Sequence, residues 1–149
     1  MASITSNKVR ALLLTGGIDL DTNTLKVMLV GTGYTPDKDH NFADSITGGS
    51  TKELSGTGYT GGFGGGGRKT LASVAVTQDD ATDKAYLDAA DVTWTAIDAG
   101  TVAYAVVIRE VTADSDSPII VVVDIAPDVV TNGGDYTIQW AADGILNLT

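Results

Sequence analysis

The stretch Thr101-Val102-Ala103-Tyr104-Ala105-Val106-Val107-Ile108 is followed, after a polar break, by Ile119-Ile120-Val121-Val122-Val123. Neither run alternates between apolar and polar residues, and both are rich in β-branched side chains, which favour the extended backbone. Such runs are too short for helices of ordinary length. They predict two central strands covered on both faces. The residues between them, Asp114-Ser115-Asp116-Ser117-Pro118, have turn chemistry. A pair of doubly covered strands needs two covering layers, which the rest of the chain has to supply.

Upstream, Ser6 or Asn7 can cap a short helix on which Val9, Leu12 and Leu13 recur at helical spacing, and Gly16-Gly17 can end it. Leu25-Lys26-Val27-Met28-Leu29-Val30 reads as a strand stopped by Gly31-Thr32-Gly33. Residues 34–51 form a long connection with a turn at Pro36-Asp37 and one helical turn around Phe42. Residues 55–67 are glycine-rich, and the entropy cost of fixing glycine predicts a mobile loop unless a partner orders it. From Lys69 onward, strand follows strand. Ala72, Val74 and Val76 alternate with polar or small residues, Asp79-Asp80 opens a turn, and Ala85 and Leu87 continue the pattern. Val92, Trp94 and Ala96 alternate with Thr93 and Thr95, as do Tyr136, Ile138 and Trp140 with Thr137 and Gln139. Asp143-Gly144 has the composition of a tight hairpin leading into residues 145–148. The expected fold is a single all-β domain over residues 1–149. It would be a β-sandwich or jelly roll of seven or more mostly antiparallel strands with one short N-terminal helix.

Composition narrows the function classes. The chain has 149 residues, no cysteine and a net charge of −10. No disulfide or thiol chemistry can occur, and the charge argues against general nucleic-acid binding. No apolar run is long enough to cross a bilayer as a helix. Met1-Ala2-Ser3-Ile4-Thr5-Ser6 lacks the basic and apolar segments of a secretory signal, so no cleaved signal is expected, and the absence of cysteine fits synthesis in a reducing cytoplasm. The charge is divided unevenly: residues 1–70 sum to +1 and residues 71–149 to −11.

Several motifs resemble chemistry without supplying it. Gly56-Thr57-Gly58-Tyr59-Thr60-Gly61 has the letters of a dinucleotide fingerprint, but more glycine follows where a helix is required. Gly67-Arg68-Lys69-Thr70 misses the P-loop because arginine stands in the lysine position and a strand pattern follows. His40, the only histidine, lies in a polar loop, and no G-x-S-x-G elbow accompanies it. Asp79, Asp80 and Asp83, or Asp114 and Asp116, could offer oxygen ligands to calcium, but neither set has EF-hand spacing, and turn formation is the expected role. Trp94 and Trp140 fall on apolar faces and are expected in the core. No enzyme, cofactor or metal is therefore assigned.

Lys26-Val27-Met28-Leu29 with Tyr34-Thr35-Pro36, then Glu53-Leu54-Ser55-Gly56-Thr57-Gly58-Tyr59-Thr60, Asp91-Val92-Thr93-Trp94, and Tyr136-Thr137-Ile138-Gln139-Trp140 with Gly144-Ile145-Leu146 occur in that order. Together they resemble small virion structural proteins of tailed phages. The resemblance implies a capsid decoration or cement protein on the virion surface, made in the host cytoplasm and bound to the major capsid protein. It would assemble as a homo-oligomer, with a trimer as the natural symmetry. A tail or fibre component binding host glycans is the alternative. The near-neutral N-terminal half is expected to face the partner through Tyr34, Phe42, Tyr59, Phe63, Arg68 and Lys69, with the acidic half facing solvent.

Overall fold

The computed structural model describes residues 3–47 and 52–149. The expectations for residues 1–2 and 48–51 lie outside the described residues. The chain order is β1 (Ser3–Thr5), α1 (Asn7–Thr15), β2 (Leu25–Val30), α2 (Asp44–Thr47), β3 (Lys69–Thr70), β4 (Ala75–Asp79) and β5 (Lys84–Asp88). Then come β6 (Val92–Trp94), β7 (Thr101–Arg109), a 3-10 turn (Asp114–Asp116), β8 (Ile119–Val130), β9 (Tyr136–Ile138) and β10 (Leu146–Leu148). All ten strands pair antiparallel, in a five-stranded sheet β1-β8-β7-β2-β3, a three-stranded sheet β10-β5-β4 and a two-stranded ribbon β6-β9.

β7 and β8 form the hairpin at the centre of the large sheet. Val107 pairs with Val121 but Ile108 with Ile119, so Ile120 is the extra residue of a bulge. One face of this sheet carries Leu25, Val27, Leu29, Val102, Ala105, Val107, Ile120 and Val121. Against it pack Leu87 and Leu146 of the three-stranded sheet and Val92, Trp94 and Ile138 of the ribbon. The opposite face carries Met28, Val30, Val106, Ile108 and Val122, covered by Tyr34, Ala43 and Ile46 from the long connection. The architecture is thus sandwich-like and all-β. Its smaller layer is split into a sheet and a ribbon rather than forming one continuous jelly-roll sheet.

Local chemistry explains the stitching. Ser6 caps α1 by accepting from the Val9 N–H (3.3 Å), and its hydroxyl donates to the Ile119 carbonyl (2.6 Å), tying the helix to β8. Gly16 closes the helix at φ 66°, in the left-handed region glycine tolerates. The long connection is sewn to the start of β8 by Ala43 N–H to Ser117 O and Ile119 N–H to Asn41 O.

Three expectations are corrected. Residues 72–76 are not one strand: Ser73 sits at φ 53° between β3 and β4, and Val76 is 50% exposed. Asp143-Gly144 does not turn a hairpin, because β9 pairs with β6 and β10 with β5. Trp140 is only half-buried, donating its indole N–H to the Ala90 carbonyl (3.2 Å), whereas Trp94 is fully buried.

Val106 and Val121 are both completely buried, on opposite faces of the central hairpin. Val106→Asp and Val121→Asp each place an unpaired carboxylate in a core and should each cost about 3 kcal/mol or more, read from chemical denaturation midpoints.

Candidate functional site

The charged and apolar side chains form two distinct features: a buried ion triad, and an open apolar groove on the three-stranded sheet.

The triad organises the glycine-rich segment. Residues 52–54 continue the edge of β2 beyond β3, with Gly31 N–H to Lys52 O (2.7 Å) and Leu54 N–H to Leu29 O (3.0 Å). Glu53 enters the interior and meets Arg68, which donates to its two oxygens from Nε (2.9 Å) and Nη2 (2.7 Å). The same guanidinium donates from Nη1 to Asp114 Oδ1 (2.6 Å) and from Nη2 to Oδ2 (3.2 Å). The Arg68 side chain is 1% exposed and that of Glu53 5%. Burial opposes the guanidinium charge, but the paired carboxylates outweigh it and push the Arg68 pKa further up.

Tyr59 completes the arrangement. Its hydroxyl accepts from the Leu29 N–H (2.9 Å) and donates to Glu53 Oε1 (3.0 Å). Burial, then the neighbouring Glu53 charge, drives its pKa well above the ordinary value of 10.0. Gly67 passes against the Tyr59 ring so closely that a Cβ there would lie 2.6 Å from a ring carbon, and its carbonyl accepts from the Trp94 indole (2.6 Å). Gly56 and Gly58 likewise press on the backbone of residues 96–99. The glycines therefore allow close packing. The expectation of a free loop is corrected: the segment is bound to the domain by its own side chains.

This changes the set of interface residues read from the sequence. Tyr34, Tyr59 and Arg68 are buried within the chain and have almost no surface to present. The Tyr34 hydroxyl meets His40 Nδ1 (3.0 Å), and burial pushes its pKa up to about 12. Phe42 is half-buried beside Pro118, whereas Phe63 and Lys69 are exposed. Residue type alone could not separate these groups. A signal was nevertheless present: Glu53 and Arg68 flank the glycine segment, with no other charged residue between them.

The acidic stretches build turns. Asp79 accepts from Ala81 N–H and Thr82 Oγ1, and the Thr82 bond is the main cause lowering its pKa. Asp116 accepts from the backbone of Thr112 and Ala113 and from the Thr112 hydroxyl, which lowers its pKa. Among the described residues, no group of three or more His, Asp or Glu is placed to hold a metal ion. No helix among them is long and apolar enough to cross a membrane.

The groove has a volume of about 420 Å3 and lies between the end of α1 and the face of β10-β5-β4. Leu13, Ile18 and Leu20 form one wall, and Val76, Leu87 and Leu148 the other. Its outer side chains Val76 and Leu148 are about half exposed. Asp19 and Asp21 stand at its rim, sharing a hydrogen bond that lowers the Asp19 pKa and raises that of Asp21. No protein-family model, curated protein or solved structure matches this chain.

Two outcomes test the triad. Arg68→Met strands a buried carboxylate and should destabilise by about 3–5 kcal/mol, with part recovered when Glu53→Gln is added, measured by denaturant titration. The raised Tyr59 and Tyr34 pKa values make stability full below about pH 10 and progressively lost as pH rises, because the unfolded chain releases protons that the folded one retains. Alkaline melting curves should therefore shift down, and Tyr59→Phe should flatten that dependence.

Proposed function

We propose that this chain is a structural protein of a phage virion, a capsid decoration protein that binds the major capsid protein lattice at the capsid surface. The assignment to a phage particle rests on the ordered resemblance of the segments around Lys26, Glu53, Asp91 and Tyr136. The observation that carries a binding rather than a catalytic role is the apolar groove with its exposed Val76 and Leu148. Its apolar walls suit insertion of a partner's side chains, and burying such area is the main favourable term in association. The Asp19–Asp21 rim favours a capsid segment whose apolar residues are flanked by lysine or arginine.

The buried charges fit the same reading. Arg68, Glu53 and Asp114 answer one another inside the protein and hold the glycine-rich segment to the β7–β8 turn. Their role is to hold a surface in shape. The contact region accordingly moves from the six residues first expected to the groove, while Phe63 and Lys69 remain available at the surface.

Leu148→Glu changes an exposed groove residue and should leave the fold intact. It should weaken attachment to undecorated heads at least tenfold in a co-sedimentation titration. Imaging of the decorated particle should place the protein on the head lattice. Density confined to the tail would instead favour the glycan-binding alternative.

A further inference from the structure

The edges of the sheets differ in how much backbone they leave open. β1, β10, β6 and β9 have three residues each and β3 two, but β4 has five and pairs on one side only. Four of its residues, Ala75, Val76, Thr77 and Gln78, are exposed. Among the described residues, none of its backbone groups bonds outside the ladder with β5. Edge strands in soluble proteins are usually blunted by lysine, proline, a bulge or a cover. β4 contains no lysine or proline, and its register with β5 is unbroken from Ala75 to Asp79.

We infer that β4 is a self-pairing edge, which joins a second copy of this chain antiparallel about a two-fold axis at Thr77. The pairing would build a continuous six-stranded sheet from two three-stranded ones. Side-chain chemistry fits the register. With Thr77 opposite its own copy, Val76 faces Gln78 and Ala75 faces Asp79, so no charge meets a like charge. A threonine pair at the centre is a favourable cross-strand partner. Val76 and the partner's Val76 become diagonal neighbours on the groove side, which covers part of a side chain that is now 50% exposed.

Charge decides the direction. Each β4–β5 turn carries Asp79, Asp80 and Asp83. Parallel pairing would set the two acidic turns side by side. Antiparallel pairing puts the two Asp79 residues at opposite ends of the contact, four residues or about 14 Å apart. That exceeds the screening length of about 8 Å at physiological salt. The contact is small, so it belongs to the weak class whose occupancy depends on local concentration, as on a crowded lattice. It is a property of the isolated chain and does not rest on the particle assignment.

The test is sedimentation of the purified chain up to about 1 mM, a range that covers weak contacts. The wild type should shift from monomer to dimer with concentration, and more strongly at higher salt. Thr77→Lys and Thr77→Asp alter an exposed side chain on the outer face of the sheet, so both should keep the wild-type circular dichroism. Each alone should weaken dimerisation about tenfold or more, and an equimolar mixture should restore it as a heterodimer. A wild type that stays monomeric throughout overturns the proposal, as does a dimer unaffected by either variant. A mixture that fails to re-pair also overturns it, because it removes Thr77 from the two-fold axis.

Discussion

The β7–β8 hairpin has to be hidden on both faces, and the rest of the chain is arranged around that constraint. Each of its fully buried valines and isoleucines contributes roughly 1.5–3 kcal/mol relative to exposure, so leaving either face open would forfeit much of the driving force for folding. One face is closed by two small β-elements, which bring Leu87, Trp94 and Ile138 to it. The other is closed without a sheet, by the connection carrying Tyr34, Ala43 and Ile46. A connection can serve as a layer because its backbone is answered at the hairpin's own end, through Asn41, Ala43 and Ser117.

The second organising element is electrostatic. A guanidinium as buried as that of Arg68 is tolerated only when its donors are matched, and Glu53 and Asp114 match them from two distant parts of the chain. The pairing gives the glycine-rich segment a fixed place between the edge of β2 and the β7–β8 turn. Tyr59 uses the same segment to cap an N–H that β3 is too short to reach. Glycine serves here through its missing Cβ as much as through its conformational freedom.

These two demands leave the three-stranded sheet only partly used. Leu87 and Leu146 face the core, while Val76 and Leu148 on the same side extend past it. The groove and the open β4 edge are therefore adjacent consequences of one geometry: a small sheet larger than the core it covers. A protein that works by surface contact would have both an apolar socket and an edge in the same place.

The apolar pattern of the sequence determined the central hairpin, β2, the all-β class and the N-terminal helix with its caps, because these depend on periodicity and on residues adjacent in the chain. It also marked Trp94, Val106, Ile108, Val121 and Ile138 as interior, and all five are buried. Tertiary structure alone decided that Arg68 would meet Glu53 and Asp114 across 15 and 46 positions, and that Tyr34 and Tyr59 would turn inward. It also decided that β9 and β10 would join different sheets. The physical reason is that periodicity records which side of a strand is apolar. Partners far along the chain are selected only when whole layers close on one another, and desolvation then leaves a charge no choice but its nearest opposite.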